Sequence, residues 1–115
     1  AAFEAAGFST VGDVLEASTA DADPSLREKL AEYELYVGRF YYKKGSYLSA
    51  LGRLVNLVKD YPETAAEKDA LYYAGLSYQE RGDRDKAIGV FETLATKYPD
   101  RAKEAHDLIL KLKAK

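Results

Sequence analysis

The stretch VGRFYYKKGSYLSALGRLVNLVKDYP, Val37 to Pro62, is answered further on by AGLSYQERGDRDKAIGVFETLATKYP, Ala74 to Pro99. Laid over one another without a gap, the two keep an offset of 37 residues at each landmark: Gly38 and Gly75, Tyr41 and Tyr78, Gly45 and Gly82, Ala50 and Ala87, Leu54 and Phe91, Leu57 and Leu94. Both close on Tyr-Pro, at Tyr61–Pro62 and Tyr98–Pro99. A period held at so many points is an internal repeat, and everything else in the chain is read from it.

Small residue, aromatic, Gly, Ala, large apolar residue and Pro, in that order, form the tetratricopeptide pattern, in which each unit is a pair of antiparallel helices. The expected fold is all-α: an antiparallel helical-hairpin solenoid of two tetratricopeptide repeats, at about 31–64 and 68–101, with a C-terminal capping helix over 101–112. These lie in a repeat domain spanning 26–115, preceded by an N-terminal segment, 1–25, with a loop and a short helix.

Local signals place the helices. Ser25 and Glu28 read as an S-x-x-E capping box, which starts the first helix near Leu26; Gly45 ends it near Lys44. Ser46 caps a second helix from Tyr47 to Lys59, stopped by Pro62. Thr64 and Glu67 form a second box opening a third helix that Gly82 closes, and Asp83 caps a fourth. Asp100 opens the fifth, with Ala105, Leu108, Ile109 and Leu112 on one side and charges on the other, as an end-sealing helix requires. Gly38 with Ala50, and Gly75 with Ala87, are expected to supply the gap at which the two helices of each unit cross. Glycine inside a helix costs roughly 0.5–1 kcal/mol relative to Ala, so its use twice at one register implies a packing reason.

Upstream, Ser9 or Thr10 caps a short helix through Val11, Val14 and Leu15, and STADADPS reads as a loop. GFSTVGDVL loosely matches a helix-hairpin-helix turn but has no basic cluster beside it, so nucleic acid is not expected as a partner. Asp21, Asp23, Ser25 and Glu32 fall at EF-hand ligand positions, yet Leu26 stands where such a loop needs Gly, and Pro24 interrupts it.

Composition narrows the classes. The chain has 115 residues, 47% of them apolar and 31% charged, ordinary values for a globular domain with a real core. A net charge of −2 argues against broad attraction to nucleic acid or anionic lipid. The absence of cysteine removes disulfides and thiolate chemistry without fixing a compartment. The start at Ala1 reads as a processed chain or a fragment. AAFEAAGF is too short for a secretory signal, so any export signal is expected outside these residues. His106 stands alone, with no nucleophile motif and no phosphate loop elsewhere. No catalytic residue, cofactor or metal is therefore expected.

LAEYELYVGRFYYKKGSYLSALGRLVNLVKDYPETAAEKDAL, Leu30 to Leu71, resembles the later repeats of the BamD (YfiO/ComL) outer-membrane assembly lipoproteins. The matching features are the LAxYELxV start, the aromatic pair before a basic-basic-Gly turn, and Arg followed by an apolar helix and DYP-x-T. The likeness runs from about Leu26 to Arg101 and exceeds the general repeat consensus at Glu34, Arg53 and Asp60–Thr64. It implies a protein on the periplasmic face of the outer membrane, anchored by an upstream lipidated cysteine, and a POTRA-type periplasmic domain of a barrel-assembly protein as partner. It also implies that Arg53 lies at that contact. The expected role is a non-catalytic protein-binding scaffold of outer-membrane β-barrel assembly. The alternatives are a tetratricopeptide adaptor of another envelope complex, such as a secretion or motility machine, and an accessory to an enzyme.

Two surfaces compete for the partner. The first helix of each repeat lines the concave side, which brings Leu35, Arg39, Tyr42, Lys43, Tyr72, Leu76 and Gln79 into one groove together with Glu32, Asp69 and Glu80. Aromatic and Arg anchors there suit a peptide or helix. Packing of Tyr42 and Tyr72 against neighbouring helices is the competing reading. Arg53 lies on the second helix, outside the groove. By spacing alone it is a solvated charge, and only the resemblance makes it a contact.

Overall fold

Asp23 opens the first helix. Its carboxylate Oδ1 accepts from Ser25 N at 3.0 Å and from Leu26 N at 3.3 Å, and Pro24 takes the first helical position, where its missing N–H costs nothing. The Ser25–Glu28 capping box does not form. The computed structural model describes residues 23–114. The helix expected through Val11, Val14 and Leu15, the GFSTVGDVL turn and Asp21 lie outside them.

From Asp23 the chain runs α1 (Pro24–Lys43), α2 (Tyr47–Asp60), α3 (Ala65–Glu80), α4 (Arg84–Lys97), a 3-10 turn (Pro99–Arg101) and α5 (Ala102–Ala114). The described residues form an elongated stack of 57 × 27 × 20 Å. The molecule is an all-α solenoid of tetratricopeptide type: α1 packs on α2 and α3 on α4 as hairpins, α3 also lies against α1 and α2, and α5 covers α4.

The two hairpin turns are built alike. Gly45 has φ 82° and Gly82 φ 80°, a backbone that side chains resist. Gly45 N donates to Tyr42 O and Ser46 N to Tyr41 O; Gly82 N donates to Gln79 O and Asp83 N to Tyr78 O. These are the paired bonds of a Schellman motif, which satisfy the last carbonyls of α1 and α3.

At the crossings, what faces each glycine is one turn further along than the sequence predicts. A Cβ on Gly38 would lie 2.5 Å from Leu54 Cδ2, and one on Gly75 would overlap the Phe91 ring. Ala50 and Ala87 are fully buried, but the glycines make room for Leu54 and Phe91.

One core gathers Ala31, Leu35, Leu54 and Leu57 with Ala66, Ala70 and Ala74 of α3. A second gathers Leu71, Phe91 and Leu94 with Ala105, Ile109 and Leu112 of α5. Fully burying such a Leu or Phe is worth about 1.5–3 kcal/mol, whereas surface ion pairs contribute little each. The stack therefore stands on these cores, and its charges set alignment.

The α2–α3 turn holds the other departure from the expected caps. Thr64 Oγ1 donates to Tyr61 O at 2.8 Å instead of capping α3. The orphan N–H of Ala65, first residue of α3, donates to Glu28 Oε1 at 3.0 Å. Glu28 thus caps a helix 37 residues on rather than its own. Glu67, the other predicted box residue, is 1% exposed. Its Oε1 accepts from Tyr98 OH at 2.5 Å and Glu63 N at 3.1 Å, and its Oε2 from Lys97 Nζ at 2.9 Å.

Candidate partner-binding surfaces

Two places on this frame gather polar and aromatic groups, and they correspond to the two surfaces the sequence points to. The groove along α1 and α3 carries a ladder of tyrosine rings meeting edge to face. Tyr42 lies 5.6 Å from Tyr47 and 5.3 Å from Tyr73, and Tyr72 lies 5.2 Å from Tyr73. Such pairs gain from ring quadrupoles beyond their burial. Guanidinium groups cover it at two points: Arg39 sits 5.7 Å from the Tyr73 centroid and Arg101 5.1 Å from that of Tyr72. Arg101 also donates to Asp69 Oδ1 at 3.0 Å and Glu104 Oε1 at 2.8 Å.

The groove offers fewer free anchors than expected. Leu35 is 7% exposed and belongs to the first core, because α1 is flanked by both α2 and α3 and buries a wider arc than one hairpin would require. Leu76 is half-buried against the second core. Tyr42 and Tyr72 are half-buried in the ladder, and burial raises the phenol pKa of both. Gln79 is half-buried, with Oε1 enclosed and without a protein partner. Lys43 stands exposed in the last turn of α1, and Arg39 is the half-exposed cation of the ladder. The sequence missed Tyr47, Tyr73 and Arg101. The adjacent pair Tyr72–Tyr73 was a signal for the second; Arg101 reaches the groove through side-chain contacts with Asp69 and Tyr72, some 30 residues earlier, which no local pattern encodes.

The second place is a cleft of about 450 Å³ formed by α1, α2 and Tyr61. Across its wall Arg53 Nη1 donates to Glu34 Oε1 at 3.1 Å and Oε2 at 3.4 Å. Arg53 is thus not a bare solvated charge: the hydrogen bond to Glu34 and its negative charge hold the guanidinium firmly protonated. Gly52 leaves one side open, since a Cβ there would meet nothing within 4 Å. Asn56 and Asp60 line the rest. One period on, the positions of Glu34 and Arg53 hold Leu71 and Val90, and Val90 packs against the core that contains Leu71. The second hairpin fills this corner with apolar side chains; the first places a charge pair beside open space.

Among the described residues no group of three or more His, Cys, Asp or Glu side chains is arranged to hold a metal ion, and no helix is long and apolar enough to cross a membrane. His106 is exposed on α5.

The profile of the YfiO family, described as outer membrane lipoprotein, matches residues 22–89, more than half of the chain. The match takes in α1 to α3, the Glu34–Arg53 cleft and the start of α4, and stops before α5 and Arg101.

Proposed function

Since the chain belongs to the YfiO family of outer membrane lipoproteins, we propose that it is a non-catalytic scaffold in outer-membrane β-barrel assembly, working at the periplasmic face of that membrane. Its partner is a POTRA-type periplasmic domain, received at the cleft between α1 and α2 with Arg53 meeting an acidic side chain. The observation that carries this reading is the Glu34–Arg53 pair bordering open space, at positions where the second hairpin has Leu71 and Val90. Packing asks for no charge there, and the pair lies inside the family match.

The groove is the weaker candidate on the same grounds. Its two guanidinium groups are taken up by the stack itself, Arg101 by Asp69 and Glu104 and Arg39 by Tyr73, which leaves Lys43 as its exposed cation, and Leu35 is core. Titration calorimetry with a purified POTRA-type domain separates the two. Arg53→Glu should weaken association through like-charge repulsion, while Arg39→Glu and Tyr72→Ala should leave it near that of the parent. Loss with the groove variants alone would move the partner to the groove. No binding by the parent chain would remove the assembly role in favour of another envelope complex.

A further inference from the structure

The last residue of a helix is a poor place for a carboxylate. Backbone carbonyls without intrahelical partners put partial negative charge there, and cations are favoured. The helix α4 obeys the rule: it ends on Lys97, whose Nζ pairs with Glu63 and Glu67 at 2.9 Å each. One period earlier α2 ends on Asp60. The first hairpin has Leu26 and Leu30 where the second has Glu63 and Glu67, so a lysine at 60 would find no such acids. That accounts for a missing lysine, not for a carboxylate set against the helix dipole. Lys59 meets the dipole from the neighbouring position, but adjacent helical residues do not face each other.

Among the described residues Asp60 has no ion pair and no side-chain hydrogen bond, and it stands exposed on the wall of the cleft that holds Arg53. Arg53, Asn56 and Asp60 follow at i, i+3 and i+7 on one face of α2, which sets the guanidinium and the carboxylate about 10 Å apart along the axis. The charges do not balance. Glu34 already answers Arg53, so Asp60 leaves the cleft with an excess of negative charge. A partner bringing only an acid to Arg53 would enter against that excess.

We propose that Asp60 is a second anchor of this cleft, taking a lysine or arginine from the same partner domain whose acid meets Arg53; this rests on the assembly reading above. The matching surface carries an acid and a base about 10 Å apart, in the order set by Arg53 and Asp60. The incoming cation meets the Asp60 carboxylate and the negative end of α2 together, so a placement unfavourable in the free chain is satisfied in the complex. Two opposite charges also fix orientation, because a domain docked end for end would set like charges against both.

The test is titration calorimetry of the chain with a purified POTRA-type domain, beside thermal melts of each variant. Asp60→Asn should raise Kd about tenfold and Asp60→Lys further, with a shallower salt dependence for Asp60→Asn. Asp60→Lys should melt no lower than the parent, since lysine suits the end of α2. Replacing the domain's lysines and arginines by Glu, one at a time, should yield one change that restores binding to Asp60→Lys. If Arg53→Glu weakens binding while Asp60→Asn leaves it within about twofold, Asp60 is no anchor and the assembly reading stands. A lower melting temperature for Asp60→Lys would also overturn the proposal, by showing that the carboxylate serves the fold. No binding by the parent chain would remove the assembly reading and this anchor with it.

Discussion

The carboxylate of Glu67 receives the hydroxyl of Tyr98 at 2.5 Å, a bond between residues 31 apart that ties the start of α3 to the end of α4. Lys97 joins it and also pairs with Glu63 at 2.9 Å, so one buried anion organises the α2–α3 turn and the last residues of the second hairpin together. Burial by itself would push the Glu67 carboxyl up. The hydrogen bonds from Tyr98, Lys97 and Glu63 N outweigh it and hold the group below the ordinary carboxylate range.

A pH dependence follows, with its sign. The folded-state pKa of Glu67 is depressed, so its contribution is complete above the unfolded value of about 4.3 and is lost as pH falls through the folded value. Glu67→Gln should cost roughly 1–3 kcal/mol at neutral pH, because an amide nitrogen then faces Lys97 or an acceptor is lost to Tyr98. Chemical denaturation of parent and variant should show that gap narrowing from neutral pH into the acid range, as the parent carboxyl takes up its proton. A gap of equal size throughout would mean that the carboxylate charge plays no part in the lock. At the alkaline end the signs reverse. Tyr98 is pushed well up by burial and by Glu67, and Lys97 is raised by its bonds to Glu63 and Glu67, so their contributions fade only above about pH 10.

Two pairs of glycines should answer the same substitution with opposite signs. Gly75→Ala drives a methyl into the Phe91 ring, which cannot swing aside in a close-packed core; overpacking of this kind costs about 1–3 kcal/mol. Gly38→Ala meets the branched end of Leu54, which can shift, and should cost less. Gly52→Ala and Gly89→Ala lie in α2 and α4 with nothing within 4 Å of the added Cβ. Each should stabilise by about 0.5–1 kcal/mol through helix propensity and the unfolded chain. Thermal melts of the four variants test the order; a stabilising Gly75→Ala would contradict the crossing geometry.

The sequence was most readable where a residue acts on its own backbone or within its own repeat. Gly45 and Gly82 announced the hairpin turns because only glycine takes that φ cheaply, and the 37-residue offset of Leu54 with Phe91 and Leu57 with Leu94 announced the core. It misled where a polar side chain finds its partner on another helix. Glu28 and Glu67 both fit the capping-box spacing, yet Glu28 caps α3 and Glu67 receives Tyr98 from the end of α4, since the competing partners exist only once the helices pack. Asp23 won the first cap because Pro24 suits the first helical position, a signal that was present and overlooked. Arg53 looked solvated for the same reason: Glu34, 19 residues earlier, becomes its neighbour only when α1 and α2 fold together.

Arg101 offers a test of the groove as a structural element. It closes over Tyr72 while paired with Asp69 and Glu104, joining α3, the 3-10 turn and α5. Arg101→Lys keeps the charge but loses the planar fork that serves two carboxylates and a ring at once. Amide hydrogen exchange should quicken in α5 before it does in α1, because α5 is held to the stack from one side only. Unchanged protection of α5 would show that Ala105, Ile109 and Leu112 suffice to hold it.

The charge pair at the cleft allows a sharper experiment than removal of Arg53. Arg53→Glu alone sets two carboxylates face to face within the chain, so a loss of binding would mix local repulsion with the loss of a partner contact. Exchanging the pair, Glu34→Arg with Arg53→Glu, restores an attraction between α1 and α2 but presents the opposite sign at the position offered to the partner. If Arg53 serves only to join the two helices, the exchange should recover both the parent melting temperature and the parent affinity for a POTRA-type domain. If Arg53 meets an acidic residue of the partner, stability should recover and affinity should not, with the association rate reduced most at low salt. A reversed charge on the partner residue should then restore binding to the exchanged chain alone. Recovery of affinity by the exchange itself would remove the cleft from the interface and return the search to the tyrosine groove.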